Sequence, residues 1–97
     1  MYVNKFNVEY LIELCSSIPV NSVNKVQFHK CQCYISDSWQ DLRYIQSYNT
    51  RVALVDEVAK IVHIFGKYSP TTSKQVTRVI NELFSEYEVI QHDITNW

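Results

Sequence analysis

The chain predicts a small α+β two-layer sandwich, with elements in the order α-β-β-β-α-β, a mainly antiparallel sheet and both helices on one of its faces. Three observations carry that expectation. A helical apolar periodicity opens the chain, strand-type alternation fills its middle, and a sharply capped amphipathic helix follows from Ser69. With 97 residues, one Gly and two Pro there is little material for linkers, so residues 1–97 read as one domain. The 46% hydrophobic content is enough to offset the entropy of ordering, which separates the chain from disordered sequences.

The elements follow in order. Val8, Leu11, Ile12, Cys15 and Ile18 recur at helical spacing behind Asn7, a suitable N-cap, and Pro19 stops the helix. A polar connection runs from Val20 to Lys25. Val26, Phe28, Cys31, Cys33, Tyr34 and Ile35 then form a β-rich run whose alternation changes phase near His29 and Lys30, which calls for a bulge or two short strands. Ser36 to Asp41 reads as a turn carrying Trp39.

From Leu42 to Asp56 strand pattern resumes, with a bend at Tyr48-Asn49. One face takes Leu42, Tyr44, Tyr48, Thr50, Val52 and Leu54; the other takes Ile45, Ser47, Arg51, Ala53 and Val55. Ile61 to Phe65 is apolar on both faces and suits a central strand. Ser69-Pro70 then places a hydroxyl at the N-cap and a proline at the first helical position. Val76, Val79, Ile80, Leu83 and Phe84 make one apolar stripe toward the sheet. Tyr87 to Ile94 alternates weakly as a last edge strand, and Thr95 to Trp97 close the chain.

Charge limits the function. A net charge of −1 argues against generic nucleic-acid binding, whose affinity comes from many Lys and Arg neutralising phosphates. The distribution is uneven: residues 51–80 hold five basic groups against two acidic, and residues 81–97 hold four acidic (Glu82, Glu86, Glu88, Asp93) and none basic. An odd set of cysteines, Cys15, Cys31 and Cys33, with no apolar leader before them, points to a reducing cytoplasm. No stretch approaches the roughly 20 apolar residues of a membrane-spanning helix, so no membrane partner is expected.

Chemistry-bearing residues are sparse. His29, Cys31 and Cys33 are soft ligands within five residues, but a single residue between the thiols does not wrap an ion as zinc turns do, and no metal or other cofactor is expected. Buried cysteines acting as small apolar groups fit better, since no cation or helix N-terminus favours a thiolate. His63 reads as a core histidine. No nucleophile, base and oxyanion set can be assembled, so the chain is not expected to be an enzyme. The helix start, with Lys67, Tyr68, Ser69, Thr71, Thr72, Ser73 and Lys74, could meet an anion, although the same hydroxyls serve capping. Seven Tyr and two Trp are more than a small core needs. Tyr34, Trp39, Tyr44 and Tyr48, in sequence around one turn and the following strand, either pack the second sheet face or form an interaction surface.

Ser47-Tyr48-Asn49-Thr50-Arg51-Val52-Ala53, followed by Gly66 to Lys74 with Tyr68-Ser69-Pro70-Thr71-Thr72, resembles a group of short, functionally uncharacterised proteins from bacteriophages and mobile elements of Gram-positive bacteria. The likeness covers Leu42 to Phe84. Such proteins often act by stoichiometric binding to a host enzyme, so the resemblance implies a non-enzymatic inhibitor of a host protein in the bacterial cytoplasm, a Cas or other defence nuclease among the targets, similar in kind to anti-CRISPR proteins. The expected contacts are Tyr34, Trp39, Tyr44 and Tyr48 as anchors, and Glu82, Glu86, Glu88 and Asp93 against a basic channel. The alternatives are a small nucleic-acid binder using Arg51, Lys67, Tyr68, Thr71, Thr72, Lys74 and Arg78, or a structural homo-oligomer, a homodimer being the simplest.

Overall fold

The computed structural model describes residues 8–19, 23–66 and 68–92. Asn7, Lys67, Asp93, Ile94 and residues 95–97 lie outside them, as do residues 20–22 of the connection. The elements are α1 (Val8–Ser16), β1 (Lys25–Gln27), β2 (Cys33–Ser36), β3 (Leu42–Ser47), β4 (Thr50–Asp56), β5 (Ile61–Ile64), α2 (Pro70–Leu83) and β6 (Glu88–Gln91). The strands form a mixed sheet in chain order. Neighbours from β1 to β5 are antiparallel, whereas β6 lies parallel to β5. Two parallel neighbours cannot be joined by a tight turn, and α2 supplies the crossover between them.

Five strands therefore precede α2, where the sequence pattern indicated three. Each extra strand comes from a turn with little turn signature. The run from Val26 to Ile35 breaks where His29 and Lys30 take φ of 49° and 62°, with Cys31 N–H donating to the Phe28 carbonyl at 3.1 Å. The run from Leu42 to Asp56 folds into a hairpin at Tyr48-Asn49, with Ser47 paired to Thr50. Just before β3, Gln40 and Asp41 both adopt positive φ, 51° and 63°, in a two-residue loop closed by the reciprocal bonds of Trp39 and Leu42. Glycine is the usual residue for such backbones, and none stands at these positions.

The helices lie on opposite faces of the sheet, which corrects the expectation that both share one. Leu11, Cys15 and Ile18 of α1 and its trailing turn pack with Leu42, Tyr44, Leu54 and Phe65. Val76, Val79, Ile80 and Phe84 pack with Cys33, Ile35, Ile45, Ala53, Val55 and Val62. Because Tyr44 and Ile45 are consecutive in one strand, as are Leu54 and Val55, the two clusters sit on opposite sides. The cause is compositional: β3, β4 and β5 are apolar on both faces, and each face needs its own cover. The result is a helix-sheet-helix arrangement. Leu83, assigned by spacing to the apolar stripe, is 51% exposed at the end of α2.

One irregularity re-aims a side chain. The β3–β4 register shifts between Ile45 and Gln46, so that Ile45 pairs with Ala53 but Gln46 with Arg51, leaving Val52 as the extra residue of a bulge. Val52 joins Ala53 in the α2-side cluster, and Arg51 turns to the α1 side. Simple alternation had assigned these two residues the other way round. Arg51 Nη1 there donates to the carbonyls of Cys15, at 2.6 Å, and Ile18, at 3.0 Å, and its guanidinium lies 4.0 Å from the centre of the Tyr44 ring. The last turn of α1 holds no basic residue, so the cation that its orphan carbonyls favour arrives from the sheet.

Candidate functional site

The hairpin tip between β3 and β4 and the first turn of α2 meet at one end of the molecule. Ser47 is buried and donates its single hydroxyl hydrogen to Gln75 Oε1 at 3.0 Å, so its 3.0 Å contact with Thr72 Oγ1 has Thr72 as the donor. Thr72 Oγ1 in turn accepts from Ser69 Oγ at 3.4 Å, and Ser69 Oγ caps α2 by accepting from Thr72 N–H at 3.3 Å. A one-directional chain of hydroxyls, Ser69 to Thr72 to Ser47 to Gln75, ties the helix start to the hairpin. Ser47 of the hairpin segment and Ser69 and Thr72 of the helix-start segment meet at this joint.

This joint leaves little room for an anion at α2. Pro70 has no N–H, Thr72 N–H goes to the cap and Ser73 N–H donates to the Ser69 carbonyl at 2.9 Å, so Thr71 has the one first-turn amide outside the cap. The other described members of the alternative set differ in exposure and in partners. Arg51 is committed to α1, Thr72 is buried, and Tyr68 is half-buried. Arg78 pairs with Glu82 at 3.7 Å and lies 5.9 Å from the Phe28 ring. Thr71 and Lys74 stand exposed on the helix. Of the described members, Arg51 is taken by α1 and Thr72 by the capping network, while Lys74 and Arg78 line a common hollow on α2.

The aromatic group separates as well. Tyr44 is 2% exposed, a core residue beneath Arg51, which removes it as a surface anchor. Trp39 is half-buried against the α1-side core, at the opposite end of β3 from Tyr48. Tyr34 and Tyr48 do come together, around Gln32. Tyr34 Oη donates to Gln32 Oε1 at 3.2 Å, and Tyr48 N–H donates to the Gln32 carbonyl at 2.7 Å. Gln46 Nε2 donates to the Tyr48 carbonyl at 2.7 Å. Both backbone groups of Tyr48 are thus held, its φ is 54°, and its side chain is 53% exposed. The left-handed region carries a steric cost for a bulky residue on the order of 1–2 kcal/mol.

The described acidic residues of the tail, Glu82, Glu86 and Glu88, lie toward the other end of α2, roughly 20 Å away for a 14-residue helix. Glu82 bonds His29 Nε2 at 2.6 Å, a contact that, with Arg78 beside it, holds its carboxyl below the ordinary range. Glu86 and Glu88 are exposed. The residues weighed as metal ligands take separate partners: His29 goes to Glu82, Cys31 Sγ donates to the Phe28 carbonyl at 2.8 Å, and Cys33 is buried in the core. Burial, with Cys31 adjacent, pushes the Cys33 thiol up to about 11, and burial raises Cys15 to about 12. Neither is poised as a nucleophile. Among the described residues no three His, Cys, Asp or Glu side chains converge, and no helix is long and apolar enough to cross a membrane.

Three features had no signal in the sequence: Gln32 as the hub of the tip, Arg51 as a helix cap, and a groove of about 600 Å³ between the end of α2 and the β1–β2 edge, flanked by exposed Val26 and Leu83. In comparisons with known proteins, no curated protein and no solved structure matches the chain. A family model does match, over residues 18–96, and it spans the sheet, α2 and the tip; the chain belongs to that family, DUF8033, a family of unknown function.

Proposed function

We infer that this chain is a non-enzymatic protein-binding module of phage or mobile-element type, which acts by occluding a host protein and contacts it through the hairpin tip. The supporting observation is Tyr48: an exposed aromatic side chain whose backbone is braced on both sides in a conformation that costs a bulky residue free energy. A turn selected for stability alone would place Gly or Asn there. An exposed tyrosine on a rigid turn loses little freedom on binding and suits an interface anchor. Tyr34 and Gln32 flank it, and the Ser47–Thr72 contact brings the first turn of α2 alongside. Glu86 and Glu88, at the far end of α2, form a separate acidic patch that complements a basic surface such as the nucleic-acid channel of a defence nuclease.

The test is affinity capture from nuclease-treated lysates of Gram-positive bacteria, with Tyr48→Ala and Glu86→Lys compared with the parent chain. Stoichiometric capture of a protein that Tyr48→Ala abolishes supports the reading. Binding to DNA or RNA that weakens steeply with salt and ignores Tyr48 overturns it in favour of a nucleic-acid binder.

A further inference from the structure

Among the described residues the sheet ends at β1, a three-residue strand with no further strand paired to its outer side. Asp37 N–H donates to the Asn24 carbonyl and Phe28 N–H to the Cys33 carbonyl, both at 2.8 Å, on either side of the Val26–Ile35 pair. Antiparallel ladders alternate, so Asn24, Val26 and Phe28 turn their backbone groups toward β2, while Lys25 and Gln27 turn theirs outward. Edges are commonly blunted by charges, prolines or bulges. Here the one charged residue of β1, Lys25, lays its ammonium 5.0 Å from the centre of the Tyr34 ring, back over its own sheet. Gln27 folds its Nε2 onto the Cys31 carbonyl at 2.9 Å. Between them Val26 is 62% exposed, on the α2 side with its cross-strand neighbour Ile35, beside the groove that Leu83 flanks.

We propose that β1 pairs antiparallel with β1 of a second copy of this chain, about a two-fold axis at Val26. Lys-Val-Gln is self-complementary in that register. Val26 meets Val26 of the partner subunit at the non-hydrogen-bonded position, where opposed Cα atoms come within about 4.5 Å. Lys25 lies opposite Gln27 of the partner subunit, so like charges never oppose, and the outward amides and carbonyls of these residues bond one another in both directions. Residues opposite in an antiparallel pair share a face, so both α2 helices stand on one side of a continuous sheet and each Val26 extends the other copy's groove. A foreign strand would need an apolar residue opposite Val26 and a neutral polar one opposite Lys25; the second copy supplies both, as an isologous contact requires. This dimer stands independently of the reading of the tip.

Sedimentation equilibrium of the full chain from micromolar to millimolar concentration, with amide exchange followed at both ends of the range, tests the pairing. The expected result is a monomer–dimer equilibrium in which the Lys25 and Gln27 amides become protected as concentration rises, while the Val26 amide is protected throughout. Val26→Lys is expected to weaken the dimer at least about tenfold without lowering the melting temperature, because the position is exposed in the monomer. Gln27→Pro serves as a second variant, since it removes an outward donor and no β1–β2 bond. A monomer at every concentration, a dimer indifferent to both variants, or Lys25 and Gln27 amides that stay fast in the dimer would each overturn the proposal.

Discussion

At the scale of single residues, two side chains carry the account, and both stand where the backbone departs from regularity. Tyr48 sits in the left-handed region, so Tyr48→Gly, which relieves the strain, is expected to be more stable than Tyr48→Val, which deepens it, by about 1–2 kcal/mol in urea unfolding. Equal stabilities would show that the turn is not strained. Arg51 is the other. Its removal leaves the α1 carbonyls of Cys15 and Ile18 without their charged donor, and Arg51→Ala is expected to cost about 1.5–3 kcal/mol, with faster amide exchange concentrated in α1. The sequence marked Tyr48 as an interface residue and Arg51 as a member of the alternative nucleic-acid set. Tyr48 is exposed, whereas Arg51 does not lie on the face that alternation gave it, because a one-residue bulge reverses alternation without any Gly or Pro to announce it. Tyr44 failed similarly, since an aromatic residue on an alternating strand shows no sign of which face another element will cover.

At the scale of elements, the β3–β4 hairpin and α2 are joined through Ser47, Thr72 and Ser69. Ser69→Ala, which deletes the cap, is expected to cost about 1 kcal/mol. Ser47→Ala and Thr72→Val, made singly and together, are expected to show a coupling of about 0.5–3 kcal/mol in a double-mutant cycle, because each single change removes one side of the buried Ser47–Thr72 hydrogen bond. Additive effects would mean that hairpin and helix are not joined through these groups. The second helix was legible in its start, fixed by Ser69-Pro70, and in most of its buried face, since Val76, Val79, Ile80 and Phe84 are buried while Leu83 of the same stripe is exposed. The strand count was not, because the turns at His29-Lys30 and Tyr48-Asn49 lack glycine and read as interruptions of longer strands. The last strand was legible as an edge; its parallel direction follows only from the placement of α2 as a crossover.

At the scale of the whole molecule, the sheet is covered on both faces and its last strand is tied down by histidines. His63 is fully buried, its Nδ1 lies 3.2 Å from His92 Nε2, and burial holds His92 below its ordinary value of 6.5. An unfolded chain therefore binds the His92 proton before the folded one does, and stability falls as pH drops below about 6.5. Glu82, lowered from 4.5 by His29, adds a further loss when it is protonated at more acid pH. Melting temperatures are thus expected to fall from pH 8 toward pH 5, with a shallower slope in His92→Gln; a rise on acidification would contradict the geometry of the pair. On a scaffold covered and braced in this way, the tip at Tyr48 faces outward with its backbone held on both sides. The most direct test of its role is capture from nuclease-treated bacterial lysate by the parent chain and by Tyr48→Ala, with folding of both verified by circular dichroism. A single protein retained in stoichiometric amount by the parent and lost from the variant is the predicted result; equal retention by both, or retention that disappears with the nucleic acid, would contradict it.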